Sequence, residues 1–350
     1  MYNCFRPGKT WYDTEGKRIQ AHGGSIIYVN GVYYWYGENK EGITGYATGN
    51  KCPEWHHGVR LYSSTDLYNW EDLGVIYVEE DPNGLFYPTN IMDRPHIIYN
   101  AKTDKFVMWA KCASKGFECS NFGVCIADKI TGPYTFLSEV TCPPHYVGDF
   151  DLVEWDGKAY AIFEHPHTHM VCQELNDTYT DVTDKVSTHI PRPFPPFTRE
   201  APGHFFHDGK HYLLTSGTTG YYPNPSEMHS FDDFHGEWQD LGDPCVDDVH
   251  ENSFNAQFSS VFTHPTIPNL YIALGDRWLT DMSVQMPDIR MCYEHIFNPE
   301  AGPMPAGIDL GAYTDANTSE ADYVWLPIRF REDGTPYIAW VDKWRVEDFL

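Results

Sequence analysis

Three acidic residues stand at the head of segments that read as strands: Asp93 in MDRPHIIYN, Asp149 in VGDFDLVEWDGK and Glu200 in REAPGHFFHDGK. A single carboxylate before a strand is most often just solvated. The same placement repeated three times suggests a shared site. Side chains of this kind, brought together, suit cleavage of a glycosidic bond. One carboxyl group must stay protonated near neutral pH to give its proton to the leaving oxygen, and a second group must deal with water or the anomeric carbon. A neighbouring carboxylate raises the pKa of the acid, because two like charges in a confined space do not both ionise cheaply. On this reading Glu200 is the acid and Asp149 the group that tunes it.

Such residues are far apart in sequence and need a fold that makes strand ends converge. Short apolar runs broken by a turn recur along the chain: GSIIYVNGVYYWYGE, HIIYNAKTDKFVMWAK, DFDLVEWDGKAYAIFE, GHFFHDGKHYLLTSG, SVFTHPTIPNLYIALGDRW and VWLPIRFREDGTPYIAWVDKW. Asn30-Gly31, Asp156-Gly157, Asp208-Gly209 and Asp333-Gly334 are pairs that tolerate positive φ and predict tight type I′ hairpins. Successive turns of the six hairpins lie roughly fifty to seventy residues apart, the length of a four-stranded propeller blade. Helical periodicity is nearly absent, so the fold expected is an all-β propeller occupying residues 1–350 as one domain. Six hairpins are compatible with five blades plus an outer hairpin, or with six blades. The Pro-rich stretch 191–196 reads as a loop between blades, and no appended carbohydrate-binding module is visible.

Composition narrows the partners. The chain carries 24 basic and 50 acidic residues, a net charge of −26, which disfavours nucleic acid and anionic membranes. An aromatic content of 16% suits strands and also stacking on sugar rings. The opening residues lack an apolar signal segment and no stretch is long enough to span a membrane, so a cytoplasmic protein acting on an oligosaccharide is expected. The nine cysteines are scattered without a CxxC pair and read as free thiols, mostly small buried hydrophobes.

The segments QAHGGSIIYVNGVYYWYGE, LYSSTDLYNW, DRPHIIYN, GDFDLVEWDGKAY, REAPGHFFHDGKHYLLTSGTTGYYPNP, NAQFSSVF, GDRW and YVWLPIRF together resemble glycoside hydrolase family 43, in particular its exo-β-1,3-galactanase branch. The resemblance implies five blades, an exo mode and inversion at the anomeric carbon. It places Glu200 as general acid and Asp149 as its pKa modulator. Where the wider family has an Asp as base, this chain reads Ala21-His22-Gly23-Gly24, and the branch resembled puts a Gln there, whose counterpart is Gln257. An ordinary amide is too weak to deprotonate water, so Gln257 would act as a rarer tautomer, in a relay, or by positioning water, with Glu38 as the alternative base.

Glu38, Asp93, Thr219 and Asn224 resemble positions that bind sugar hydroxyls, while Trp35, Tyr221 and Trp278 are candidate stacking faces. Asp93 stands where the branch typically has Glu. His167, within Glu164-His165-Pro166-His167-Thr168-His169, replaces an Asn-bearing segment and is a candidate sugar contact. Alternating histidines also offer metal-ligand spacing, but no metal is assigned and no cofactor is required. Some members of the family carry an axial calcium, near which His250 would lie, so a structural calcium stands as an open expectation. Inserts such as 165–198 would close one end of the funnel. The alternatives are α-L-arabinofuranosidase or β-xylosidase action, a non-catalytic sugar-binding propeller, and a phosphorylase, for which only scattered cations such as Arg94 and Arg277 are present.

Overall fold

A computed structural model describes residues 1–42, 54–113, 120–280, 286–298, 300–304, 306–307 and 317–350. Five antiparallel sheets follow one another along the chain. The first contains β1 (His22–Val29), β2 (Val32–Glu38), β3 (Val59–Ser64) and β4 (Glu71–Tyr77), and the second β5 (Ile91–Asn100), β6 (Lys105–Ala113), β7 (Ser120–Ala127) and β8 (Thr135–Val140). The third contains β9 (Phe150–Trp155), β10 (Lys158–His165), β11 (His169–Leu175) and β12 (Val182–His189), and the fourth β13 (Arg199–His207), β14 (Lys210–Gly217), β15 (Glu227–Phe231) and β16 (Gln239–Gly242). In the fifth, β18 (Gln257–Thr263), β19 (Tyr271–Arg277), β20 (Asp322–Phe330) and β21 (Pro336–Ala339) are joined by the short β17 (Cys245–Val246), which runs parallel to β21. The inner strands β1, β5, β9, β13 and β18 touch one another in turn around a ring. The molecule is a five-bladed β-propeller.

Strand alternation explains how the ring is held. Each blade sends alternate side chains to the two blades beside it. In β6, Phe106 and Met108 pack toward the first blade, while Val107 and Trp109 pack toward the third. In β10, Phe163 joins the second blade and Ile162 the fourth. The seam between the fifth and first blades is the most aromatic, with Trp35, Trp70, Trp325 and Trp344 in one buried cluster. The N-terminal segment seals it: the Phe5 N–H donates to the Trp344 carbonyl at 2.9 Å, and the two rings stack at 4.2 Å. Covering this seam matters because, among the described residues, no strand is shared between the first and last blades.

Three of the four expected tight turns have both central residues at positive φ: Asn30-Gly31, Asp156-Gly157 and Asp208-Gly209. Asp333-Gly334 does not. There Phe330 and Pro336 are joined by a wider loop in which Asp333 Oδ1 accepts from the Thr335 N–H at 2.9 Å. The sixth hairpin of the sequence is the outer half of the fifth blade. The expectation that 165–198 is an insert closing the funnel is corrected, since most of it forms β11 and β12, the outer strands of the third blade. The helix α1 (Met286–Phe297) was not foreseen. Cys4, Cys125, Cys142, Cys172, Cys245 and Cys292 are free thiols, all but Cys4 buried, whereas Cys52 and Cys119 lie outside the described residues. Among the described residues no helix is long and apolar enough to cross a membrane.

Candidate active site

Three inner strands open on the same local device. Register shifts fall between His22 and Ser25 in β1, Asp93 and His96 in β5, and Glu200 and Gly203 in β13. In each, the first residue within the shift takes positive φ: Gly23 at 60°, Arg94 at 54° and Ala201 at 49°. Bulges of this kind re-aim a side chain out of the regular pleat. Arg94 and Ala201 are also non-glycine residues before a proline, an unfavourable place for such a backbone. The local strain turns neighbouring side chains toward the mouth of the ring.

The result is a pocket of about 130 Å³. Its walls include Glu38, Asp93, Asp149 and Glu200, the cations Arg94 and Lys111, and the aromatic residues Trp55, Tyr221 and Trp278 beside Gln257. Asp149 Oδ2 accepts from Arg94 Nε at 3.0 Å, and Oδ1 lies 3.3 Å from Lys111 Nζ. Lys111 Nζ also pairs with Asp93 Oδ2 at 3.1 Å, and Trp55 Nε1 donates to Asp93 Oδ1 at 2.6 Å. Glu38 Oε1 accepts from the Arg94 backbone N–H at 3.0 Å, while its Oε2 pairs with Lys40 Nζ at 2.9 Å.

Glu200 differs from these carboxylates because no cation pairs directly with it among the described contacts. Its Oε1 accepts from Gln257 Nε2 at 2.8 Å. Burial, then the negative charges of Asp149 and Glu164, push its carboxyl well above the ordinary range, against the opposing pull of Arg94 and Lys111. Burial acts on Asp149 in the same upward direction, but there the adjacent Arg94 and Lys111 outweigh it and hold the carboxyl below its usual value. Glu164, likewise buried and close to Asp149, is pushed up to about 7. One carboxyl group that keeps its proton beside one that has lost it is a pairing suited to acid catalysis.

Of the residues expected from sequence, the structure brings Glu38, Asp93, Asp149, Glu200, Tyr221, Gln257 and Trp278 to this pocket. Four others are elsewhere. Trp35 is a core residue, 2% exposed and packed 4.5 Å from the Trp325 ring, so it offers no stacking face. Thr219 and Asn224 are buried in the loop after β14. Asn224 Nδ2 donates to Thr219 Oγ1 at 2.7 Å, and Thr219 donates to the Tyr222 carbonyl at 2.7 Å, so these side chains brace the loop that presents Gly220 and Tyr221. His167 is exposed on the β10–β11 turn, its ring edge-on to Phe297 at 4.9 Å.

Arg277, one of the scattered cations of the sequence, does not line the pocket: it donates to the carbonyls of Asn255 and Phe254. Lys111 and Trp55 were missed. Lys111 sits directly opposite Asp93 in the β5–β6 register, a signal visible once the hairpin is drawn.

The metal expectations meet definite chemistry. His165 and His169 face each other across their hairpin, ring centroids 5.0 Å apart. His165 Nδ1, however, accepts the Tyr146 N–H at 2.9 Å, which leaves the proton of a neutral ring on Nε2. Glu227, His229 and Asp240 form a tighter group, but Arg192 Nη2 already bridges the two carboxylates at 2.9 and 3.0 Å. On the propeller axis, a cavity bordered by Ser25, Tyr36, His96, Asp151, His204 and Ser260 supplies a single carboxylate. Both Asp151 oxygens accept backbone N–H groups at 2.8 Å, so these residues do not compose the oxygen cage that calcium requires. His250 is exposed and does not border this cavity.

Comparison with known proteins agrees with the geometry. A comparison with curated proteins found no match. Among solved structures, a GH43 β-1,3-galactosidase superposes with a TM-score of 0.79 at 30% identity, covering 99% of this chain and 65% of its own. A second GH43 β-1,3-galactosidase, with galactodeoxynojirimycin, gives 0.78 at 27% identity over 97% of this chain and 100% of that one. The fold also matches an exo-β-1,3-galactanase from Phanerochaete chrysosporium, TM-score 0.76 at 24% identity, covering 98% of this chain and 68% of that one. This chain thus spans about two thirds of the first relative and all of the second. Residues 18–272 match the profile of glycosyl hydrolases family 43, and the chain belongs to that family of glycoside hydrolases.

Proposed function

We propose that this enzyme releases galactose from the ends of β-1,3-linked galacto-oligosaccharides by a single inverting displacement. The observation that carries the reading is the buried, proton-holding Glu200 sharing one pocket with ionised Asp149. Glu200 gives its proton to the departing glycosidic oxygen while water attacks the anomeric carbon from the opposite face. Asp149, anchored by Arg94 and Lys111, supplies the fixed negative charge that helps Glu200 stay protonated. Tyr221 and Trp278, whose rings lie 4.9 Å apart, offer apolar faces to the sugar. A pocket of about 130 Å³ suits one terminal sugar better than a run of them, which supports an exo mode.

The galactose preference rests on the two β-1,3-galactosidases at 30% and 27% identity. Incubation with β-1,3-galactobiose, arabinan oligosaccharides and xylobiose, in phosphate-free buffer, tests it. Galactose release from the first alone is expected. Arabinose or xylose release would move the substrate while keeping the mechanism, and a requirement for phosphate would replace hydrolysis by phosphorolysis.

A further inference from the structure

We infer that Glu164 is a second positioning residue for the acid: it braces the backbone that carries Asp149 and adds its negative charge to that of Asp149 in holding the proton on Glu200. The inference rests on the reading of Glu200 as the acid. Glu164 is the penultimate residue of β10 (Lys158–His165) and is 5% exposed. It does not border the pocket, so it acts on the reaction through its neighbours. Its N–H donates to the Asp149 carbonyl at 2.9 Å and its carbonyl accepts from the Gly148 N–H at 2.7 Å. These two bonds carry the β9–β10 pairing past Phe150 and Phe163 to Asp149. The fit is close: a Cβ on Gly148 would lie 2.4 Å from Glu164 Oε2 and 2.8 Å from Glu164 Cβ, an approach that glycine alone permits. On the other side Glu164 Oε1 accepts from the His167 N–H at 3.0 Å and pins the β10–β11 turn, where His167 has a φ of 63°.

The charges facing this carboxyl come from several elements. Asp149 approaches from the entry to β9, Lys111 from β6 and Glu200 from β13. From its own turn come His165, whose Nδ1 is taken by the Tyr146 N–H, and His167, which burial and then Lys111 hold below the usual histidine range. His145 and His169, packed on the His165 ring, are also lowered, first by burial. Lys111 is itself ion-paired to Asp93 and Asp149. Burial, then Asp149, push Glu164 up to about 7, against the His167 N–H and the charge of Lys111.

Glu200 feels both sides of this arrangement. Asp149 and Glu164 hold its proton on, while Arg94 and Lys111 pull it off. Asp149 alone faces two cations. With Glu164 ionised the balance is two charges against two, and the proton needed by the leaving oxygen stays on Glu200 to a higher pH. At low pH Glu164 is neutral and contributes its hydrogen bonds only. As pH rises through about 7 its charge appears, on the side of the profile where Glu200 begins to lose its proton.

The test compares pH–rate profiles on β-1,3-galactobiose for wild type, Glu164→Gln and Glu164→Asp, each over the range where thermal melts show it folded. A parallel series uses 2,4-dinitrophenyl β-D-galactoside, whose leaving group needs no protonation. Glu164→Gln keeps an oxygen for the His167 N–H and removes the charge. On the acidic side of neutrality its kcat on the disaccharide is expected to match wild type within about twofold, and on the alkaline side to be about threefold or more lower, the factor that a half-unit shift of the limb gives. KM is expected to be unchanged, and the aryl galactoside to show no pH-dependent difference. Glu164→Asp, which keeps the carboxylate, is expected to retain the wild-type limb. A limb unmoved in Glu164→Gln, an equal loss at every pH, the same loss on the aryl galactoside, or a Glu164→Asp limb displaced as far as that of Glu164→Gln would each overturn the inference. Glu200→Gln, run beside them, separates the two assignments. If its residual activity on the disaccharide kept the alkaline limb, Glu200 would not be the acid; if the limb vanished there and stayed unmoved in Glu164→Gln, the role of Glu164 alone would fail.

Discussion

Replacing Glu200 by Gln is expected to lower kcat on β-1,3-galactobiose by about 10²- to 10⁴-fold, the usual contribution of a positioned general acid. The protein itself should remain intact. The substitution keeps the shape of the side chain, and its amide oxygen can still accept from Gln257 Nε2, which holds Glu200 Oε1 at 2.8 Å in the native protein. It also removes a buried ionisable group whose charged form is disfavoured by burial and by two neighbouring carboxylates. The melting temperature should therefore be unchanged or higher, and a loss of activity without a loss of stability identifies a chemical role. Rate measurements paired with thermal melts decide the point. A variant with near-native turnover of the disaccharide would remove Glu200 from the mechanism.

Asp149→Asn should have the second largest effect, on both rate and pH dependence. The active form of Glu200 is protonated, so activity is lost as pH rises through its elevated pKa. Asp149 raises that pKa by its own charge and also neutralises Arg94 and Lys111, which pull it down. Without the Asp149 charge both influences act in one direction. The alkaline limb of kcat should then move to lower pH, with turnover at neutral pH reduced at least about tenfold. Two buried cations also lose a partner, at a cost of about 3–5 kcal/mol to folding. A pH–rate profile taken where the variant is fully folded separates the effects, and an unmoved alkaline limb would show that Asp149 does not tune the acid.

The parts of this site legible in the sequence were those tied to a repeated local pattern. Asp93 and Glu200 could be singled out because each opens an inner strand, and their convergence follows once the hairpins form a ring. Asp149 immediately precedes β9, which places it at the equivalent entry to the third blade. Trp35 could not be separated from Tyr221 or Trp278 by residue type, because an aromatic side chain on a propeller serves the seam between blades as readily as the mouth. Its burial among Trp70 and Trp325 is a tertiary fact. Thr219 and Asn224 illustrate the polar version of this difficulty, since a buried loop needs internal donors and acceptors as much as a sugar does.

The electrostatic balance was also hidden from a reading that looked for acids alone. Lys111 faces Asp93 only in the folded register. Trp55 reaches the pocket from the connection between β2 and β3, with no periodicity to announce it. Arg94 looked like a scattered cation and proved to be a centre of the site, bonded through its side chain to Asp149 and Gln257 and through its backbone to Glu38. Asp333-Gly334 failed as a tight turn because a favourable pair does not set the length of its loop.

The most direct test of the proposed mechanism is proton NMR of the first galactose released by wild type from β-1,3-galactotriose, recorded before mutarotation mixes the anomers. A single displacement from the chain end predicts α-galactose accompanied by galactobiose. Initial β-galactose would contradict inversion and require a covalent intermediate, and cleavage products lacking monosaccharide would contradict the exo mode.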